Sequence, residues 1–338
     1  MTTTHPLTTN PIVSVVIEGY NESRDQGTAN NTMLALQHQD YPHDRIEIIL
    51  VGSSVQVEEW QAAYADPAPF LAVKAVAADG ALYYALKNQG ATVATGDIIV
   101  FTDSDVYPQP RWVSAIVERI QAGADVSVGI SLFKSAHSWR GDAPLRQIAV
   151  CLTFGYILGK IRHYRPGQLP DMEVRGFMDH NLAMRTDVFR QCQYQTEFGR
   201  VIASPLLFRK LTQAGFIIAL HPQQQIVHYF AWWYWLKKLH FRYGYEVYHL
   251  RRLDPNYPNQ WITRTGILEP VVTMIWHMIL DVPRWFRFSR LLDMHPLKRW
   301  GLLPVLIGLS GLARGAEMLG IVCTMISPRA MKQWAETV

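Results

Sequence analysis

The chain is poor in cysteine and in charge. Its three cysteines, Cys151, Cys192 and Cys323, lie far apart in 338 residues and lack the spacing of metal ligands. So sparse and odd a set excludes a disulfide framework and a cysteine-based zinc site, and it indicates reduced thiols in a cytosolic compartment. Charged residues make up 18% of the chain, which is low for a fully soluble protein, and the net charge of +4 is modest.

Internal repeats, low-complexity tracts and a leader-like segment are also missing. Residues 1–10 are polar and threonine-rich without an apolar core, so we expect a disordered N-terminus and no secretory signal. The first apolar run, SVVIEGYNES from Ser14, has no glycine- and lysine-rich phosphate loop, which counts against a nucleotidyltransferase. The length predicts one large domain with an appendage.

Two aspartates follow an apolar run near the middle of the first domain. Residues 98–102 (IIVFT) predict a buried strand, and Asp103 and Asp105 come directly after it. Carboxylates at i and i+2 of an extended chain point the same way, so we expect both to approach one cation. Hard ions such as Mg²⁺ or Mn²⁺ take oxygen ligands and bridge carboxylates to phosphates. Alone this spacing is weak evidence, because solvated turns carry it too.

The segments before the aspartates alternate between strand and helix patterns. Residues 12–17 and 45–54 read as buried strands, while 28–39 and 80–96 have helical patterns. This alternation predicts a parallel α/β sheet, and ligands of such sheets bind beyond the carboxyl ends of the strands. The aspartate pair and the turn after Ile17 would both lie at that edge.

Four segments in this order resemble family 2 glycosyltransferases. They are SVVIEGYNE (14–22), YYALKNQGATVATGDIIVFTDSDVYPQPRW (83–112), DHNLAMR (179–185), and a late glycine–aromatic, proline and valine–histidine series (215–228). The resemblance implies a GT-A fold over residues 11–230, a Rossmann-like and mostly parallel sheet flanked by helices. It also implies transfer of a sugar from a nucleotide-diphosphate donor, with inversion at the anomeric carbon.

The resemblance carries site residues with it. Those implied for nucleotide binding are Gly19, Tyr20, Glu22, Gly52, Ser53, Lys87 and Asp103. Within this set Lys87 matches a basic residue that faces the diphosphate, and Asp103 matches one that meets the ribose or the metal. Asp105 matches the direct ligand of a divalent ion, Mn²⁺ or Mg²⁺, and His228 a late histidine that completes the metal site. A UDP-sugar is the leading donor.

Two departures from the family pattern concern the nucleotide base and the catalytic base. Where the family reads VDxGS, this chain has Val51-Gly52-Ser53-Ser54, and Glu18 replaces a proline, so a carboxylate from a neighbouring strand end is a candidate substitute. The position of the family's catalytic carboxylate falls on Ala203-Ser204, which cannot act as a base. Asp179 is our first candidate for that role and Glu197 the second. A catalytically degenerate nucleotide-sugar-binding or scaffold subunit therefore stays open as the alternative.

Residues 231–338 have a different character. Half of residues 229–248 are aromatic, interleaved with basic residues, which favours a membrane interface over a buried helix or, last, nucleic-acid binding. Two apolar stretches follow, 266–282 and 301–326, the second with Arg314 and Glu317 in its middle. We expect a helical membrane-associated region, spanning or interfacial.

Together these observations predict a metal-dependent glycosyltransferase at the cytoplasmic face of a membrane. Its partners would be the nucleotide-sugar donor, a lipid-linked or envelope glycan acceptor and the membrane surface, with no nucleic acid.

Overall fold

The computed structural model describes residues 8–20, 29–135, 143–163 and 168–337, which form two compact units. The first unit takes its residues from Met1–Leu132, Lys160–Gly199 and Ala203–His228, and the second from Phe133–Gly159, Arg200–Ile202 and Tyr229–Val338. The second unit therefore includes a stretch before residue 160 as well as the C-terminal region. The expected disorder of residues 1–10 falls largely outside the described residues.

Ten strands are found in the described residues. They are β1 (Val13–Glu18), β2 (Ile46–Gly52), β3 (Ala72–Ala77), β4 (Ile98–Asp103), β5 (Val106–Pro108), β6 (Val126–Ser135), β7 (Leu158–His163), β8 (Asp171–Val174), β9 (Leu182–Arg185) and β10 (Ile218–Phe230). Eight of them build one sheet in the order β3-β2-β1-β4-β9-β6-β10-β5, and β7 pairs with β8. Strands β3, β2, β1 and β4 run parallel, whereas β9 is antiparallel to β4 and β6.

The helices alternate with the strands in the first half of the chain and follow one another in the last third. They are α1 (Ala29–Leu36), α2 (Ser54–Ala63), α3 (Tyr83–Thr92), α4 (Trp112–Gln121), α5 (Ala143–Phe154), α6 (Thr186–Gln191), α7 (Gly199–Gln213), α8 (Trp232–Tyr234), α9 (Phe241–Leu253), α10 (Glu269–Leu291), α11 (Pro296–Gly301), α12 (Leu303–Ile326) and α13 (Pro328–Thr337). A π-helix, Trp235–His240, joins α8 to α9. The predicted α/β class with a helical C-terminal region is confirmed.

The central strands are buried on both faces. Every residue of β1, β2 and β4 is buried, which explains why these segments read as continuous valine and isoleucine runs instead of alternating with polar residues. Their register pairs Glu18 with Val51 and with Asp103. The three carboxyl ends therefore lie level at one edge of the sheet, as the alternation predicts.

Helix α2 and strand β3 are missing from the sequence-based prediction, which passes from residue 54 to residue 80 without an element. Helix α2 buries only Val57 and Trp60, so its helical period is faint. Strand β3 (AVKAVA) is an edge strand of small, half-buried residues that pairs with β2 alone. Neither element carries the strong apolar signal on which the prediction rests.

In the second unit, two helical segments are long and apolar enough to cross a membrane, Gln260–Leu291 and Leu303–Ile326. Helices α9 and α12 cross closely at Gly244 and Gly320, because a Cβ on Gly320 would lie 2.0 Å from the carbonyl oxygen of Phe241. The aromatic segment is mixed: Trp235 is buried and Trp233 is exposed.

Candidate active site

The site forms around a tight turn that follows β4. The strand ends at Asp103, Ser104 and Asp105 form the turn, and β5 begins at Val106. The prediction that both carboxylates lie on one extended strand is therefore wrong. The hydroxyl of Thr32 in α1 lies 2.8–3.2 Å from the carbonyl oxygens of Asp103, Ser104 and Val106. This contact stabilises the backbone of the turn.

Asp105 is paired with His228 by the register of two strands. Strand β10 pairs antiparallel with β5 and places His228 opposite Val106. His228 Nε2 lies 3.2 Å from Asp105 Oδ2. Asp105 Oδ1 is buried and accepts no hydrogen bond from the residues that the structure describes. An aspartate oxygen left without a donor beside a histidine nitrogen is a suitable start for a cation site.

These two side chains fit an ion that takes its other ligands from a substrate. No group of three or more His, Cys, Asp or Glu side chains in the described ranges could hold a metal ion by itself. Small divalent ions are commonly bound through one or two protein side chains, substrate phosphates and water. The predicted metal roles of Asp105 and His228 are compatible with this arrangement and stay predictions.

Asp103 is tied to helix α3 and not to the turn that it begins. Its Oδ1 accepts hydrogen bonds from Tyr83 Oη at 2.7 Å and from Lys87 Nζ at 2.8 Å. Burial by itself would raise the pKa of Asp103, but the Lys87 ammonium, His180 and these hydrogen bonds hold that pKa well below its usual range. Asp103 therefore carries its charge at any working pH. Its predicted contact with ribose or metal stays a prediction.

Lys87 is fully buried and has an acceptor for each of its three donors. Besides Asp103, its Nζ lies 3.3 Å from the carbonyl oxygen of Thr102 and 3.4 Å from that of Asp179. The diphosphate contact predicted for Lys87 stays a prediction. In this structure the ammonium instead fixes Asp103 and the backbone at Asp179, which places it between the two acidic parts of the site.

Replacing Lys87 by methionine is expected to lower the free energy of unfolding by about 3 kcal/mol, because removing one partner leaves the Asp103 charge buried and uncompensated. Chemical denaturation measures this loss. Lys210→Met, at an exposed position on α7, is the matched control and should change stability by less than about 0.5 kcal/mol. Equal effects of the two substitutions would refute the role assigned to Lys87.

Asp179, the first candidate for the base, lies in the turn before β9. Its Oδ2 accepts a hydrogen bond of 2.7 Å from Tyr84 Oη. Burial raises the pKa of Asp179, and hydrogen bonds from Tyr84 and Ser204 and the nearby Lys87 ammonium oppose that rise. Ser204 marks the helix position where the family's carboxylate would fall. Asp179 thus lies beside that position, in the turn before β9.

Glu197, the second candidate, lies apart from these groups. It is exposed in a short 3₁₀ turn, Thr196–Phe198, and no hydrogen bond or ion pair joins it to a residue of the site within the described part of the chain. Asp187 lies in the first turn of α6, whose N-cap position is Arg185. It forms an ion pair with Arg185 and accepts a hydrogen bond from the backbone of Val188.

His180 belongs to the site although the sequence did not single it out. Strand β9 runs antiparallel to β4 and pairs Leu182 with Phe101, so the residues before β9 lie beside those after Phe101. His180 Nδ1 is 4.0 Å from Asp103 Oδ2, and its ring centroid is 5.7 Å from that of His228. Burial lowers the pKa of His180 to about 4, so this ring is neutral near pH 7.

The glycines predicted to line the nucleotide are covered by the chain's own side chains. A Cβ on Gly19 would lie 2.8 Å from the Trp60 ring, and one on Gly52 would lie 2.5 Å from Gln56 Oε1 and 2.7 Å from Trp60. Ser53 caps α2 together with Gln56 in a capping box. Trp60 and Gln56 thus occupy the space directly above both glycines.

The remaining predicted nucleotide residues are Tyr20 and Glu22. Tyr20 is half-buried, and its backbone nitrogen donates to Glu18 Oε2 at 2.6 Å. Glu18 itself is fully buried, which makes it a poor substitute for the missing base-binding aspartate. Glu22 lies outside the described residues.

Asp79 is an exposed carboxylate at the same edge of the sheet. It follows β3, and Ser54 donates to it through both its backbone nitrogen, at 2.8 Å, and its hydroxyl. These hydrogen bonds lower the pKa of Asp79. The sequence did not indicate Asp79, because β3 was not recognised as a strand of the sheet.

With this geometry in place, comparison with protein families identifies the class. The family model for glycosyl transferase family 2 matches residues 14–192, more than half of the chain. The protein belongs to the family 2 glycosyltransferases. No curated protein sequence matches the chain.

Solved structures agree on the fold. The mannosyltransferase PcManGT from Pyrobaculum calidifontis, solved with GDP-Man and Mn²⁺, is similar over 97% of this chain and 90% of its own, with a TM-score of 0.58 and 15% identity. GalNAc-T7, solved with UDP, GalNAc and Mn²⁺, is similar over 66% of this chain and 44% of its own, with a TM-score of 0.51 and 14% identity. At such low identity these similarities show a GT-A fold.

Proposed function

We propose that the protein transfers a sugar from a nucleoside-diphosphate donor, in the presence of a divalent ion, to a lipid-linked or envelope glycan acceptor at the cytoplasmic face of a membrane. The single observation that carries the donor half is the pair Asp105 and His228, with one aspartate oxygen buried and without a hydrogen-bond donor among the described residues. Mn²⁺ in both solved relatives supports the same ion class here.

The residues of the site divide the work of the reaction. A bound divalent ion neutralises charge on the departing nucleoside diphosphate. Asp105 and His228 would hold that ion, and Asp103, fixed by Lys87 and Tyr83, would face the ribose of the donor. Asp179 would take the proton from the acceptor hydroxyl, because a carboxylate with a raised pKa is a better base than an ordinary one. The acceptor oxygen would then bond to the anomeric carbon as the bond to the nucleoside diphosphate breaks on the opposite face, which would invert that carbon.

Two structural facts favour catalysis over a degenerate, donor-binding scaffold. The base that seemed lost at Ala203-Ser204 has a replacement, since the Ser204 hydroxyl bonds to Asp179. Asp179 also keeps part of its surface accessible, as a residue that must meet an acceptor requires. A lipid-linked acceptor is supported by the two long apolar helices of the same chain.

Nucleotide titration tests the donor site directly. We expect one of UDP, GDP and dTDP to raise the thermal midpoint of the detergent-purified protein only when Mn²⁺ is present. A ligand at 100 times its Kd stabilises a one-site protein by about 2.7 kcal/mol. No shift with any nucleotide, with or without Mn²⁺, would overturn the proposed donor site.

The same titration examines base recognition. We propose that Asp79 takes the place of the aspartate missing at Gly52, since both lie at carboxyl ends of neighbouring strands. Asp79→Ala should lower the affinity for the preferred nucleotide, while nucleotide binding should still require Mn²⁺. The exposed Glu58→Ala on α2 is the matched control and should bind as the unchanged protein does.

A further inference from the structure

The buried faces of helices α10 and α12 carry several polar and charged side chains. On α10 the buried face carries Glu269, Thr273, His277 and Asp281, four residues apart each time. On α12 it carries Ser310, Arg314, Glu317 and Thr324. A surface helix of a soluble domain has the opposite arrangement, with the apolar stripe facing the core.

The two polar faces join in one seam. Arg314 donates to both oxygens of Asp281, at 2.8 Å each, and to Glu317 Oε2 at 2.9 Å. His277 Nδ1 lies 2.8 Å from Glu317 Oε1, and Ser310 donates to Asp281 at 2.7 Å. Asp281 of α10 pairs with Arg314 of α12, and the earlier residue His277 pairs with the later residue Glu317. The two helices therefore run antiparallel. The charges of Arg314, Asp281 and Glu317 are thus neutralised by one another.

Both helices expose large apolar side chains. Only 28% and 39% of the residues in the two apolar windows are buried. We define the apolar face as the exposed residues Leu268, directly before α10, Val271, Ile275 and Ile279 of α10, and Ile307, Leu312, Leu319 and Ile326 of α12. Exposed large apolar residues in this number indicate an interaction site.

The lengths of α10 and α12, and the residues near their ends, match the thickness and the interfaces of a bilayer. Helices of 23 and 24 residues extend about 35 Å at 1.5 Å per residue, against about 30 Å for the hydrocarbon core. Exposed tryptophans stand near opposite ends of the antiparallel pair, Trp261 before α10 and Trp300 before α12. Exposed basic residues accompany them, Arg264 at one end and Lys298 at the other. Tryptophan and basic residues are favoured at the two membrane–water interfaces.

The close packing of α9 against α12 at a glycine also supports a lipid environment. A Cβ on Gly244 would lie 2.2 Å from the carbonyl oxygen of Glu317, so α9 and α12 approach backbone to backbone. Helices in lipid gain little from burying apolar side chains against one another, and they associate through small residues and hydrogen bonds. The second unit uses both.

We propose that the apolar face contacts the acyl chains of a phospholipid bilayer, with the polar seam of α10 and α12 shielded inside the helix pair. The proposed function includes a membrane as partner, and this inference identifies the surface that contacts it. It depends on the second unit alone and not on the chemistry of the donor site.

Flotation with neutral phosphatidylcholine vesicles tests the proposal on the full chain reconstituted from detergent. We expect the protein to float with the vesicles in low salt and in 1 M salt alike, because contact with acyl chains needs no anionic headgroup. Ile275→Asn and Leu312→Asn should each lower partitioning about tenfold, equal to about 1.4 kcal/mol. Val55→Asn, at an apolar residue of the first unit that is 67% exposed, should leave partitioning unchanged.

Three results would overturn the proposal. Release by 1 M salt would indicate electrostatic adsorption, and unchanged partitioning of both face variants would place the contact elsewhere. A detergent-free protein that stays soluble as a dimer would show that a second copy covers the face. Nucleotide titration of each variant in detergent reports separately on the donor site, so a failure there counts against the proposed function and leaves the flotation result standing.

Discussion

Asp105→Ala is expected to abolish Mn²⁺-dependent nucleotide binding and to lower turnover by about a thousandfold. Asp105 Oδ1 is the buried oxygen that accepts no hydrogen bond from the described residues, and His228 stands against the other oxygen. A metal ion contributes several kcal/mol to stabilising the charge of a leaving phosphate, and each 1.36 kcal/mol is tenfold in rate. Calorimetric titration with nucleotide, with and without Mn²⁺, measures the binding loss.

The substitution should leave the fold intact, because the one ion pair that Asp105 forms within the described residues is with a histidine. Asp187→Ala is the control, since this aspartate is exposed and pairs with Arg185 away from the turn. It should retain metal-dependent binding. Undiminished turnover in Asp105→Ala would remove the metal from the proposed mechanism.

Asp179→Asn is expected to lower turnover by about a thousandfold while donor affinity stays within twofold. General bases contribute about 10²–10⁴ to rate, and the amide keeps the hydrogen bond from Tyr84 while it cannot accept a proton. Single-turnover kinetics with a saturating donor separates the chemical step from binding. Glu197→Gln, at the exposed second candidate, should be fully active. The reverse result would assign the base to Glu197.

The pH profile gives an independent check on Asp179. Burial raises its pKa above the 3.8 of an ordinary aspartate, and the base works only when deprotonated. Turnover should therefore fall as the pH drops through this raised pKa, and the acid limb should vanish in Asp179→Asn. Asp103 cannot produce this limb, because Lys87 holds the pKa of Asp103 well below its usual range.

The parallel half of the sheet could be predicted from the sequence, because it depends on local pattern. The buried runs that become β1, β2 and β4 are long, apolar and β-branched, and the Asp103–Asp105 motif follows the last of them. The shape of the turn was not predictable. The sequence favours an extended chain after Asp103. In the structure the chain turns there, and the hydroxyl of Thr32 in α1 contacts the carbonyl oxygens of Ser104 and Val106.

The residues that the sequence did not reveal are placed by long-range pairing. His180 reaches Asp103 only because β9 runs antiparallel to β4, and nothing local states that direction. Asp79 meets Ser54 only because β3 pairs with β2. Polar residues recur every four positions along α10, but the sequence gives no sign that they pair with Arg314 and Glu317 of the second apolar stretch.

The cover that Trp60 and Gln56 form over Gly52 has an evolutionary consequence. The family's usual aspartate at this position cannot be restored by one mutation, since its Cβ would already lie 2.5 Å from Gln56 and 2.7 Å from the indole. The end of the glutamine can swing aside, but a tryptophan that is 5% exposed in close-packed surroundings cannot. Positions 52, 56 and 60 are therefore epistatic. An aspartate at position 52 would therefore require an earlier change at Trp60.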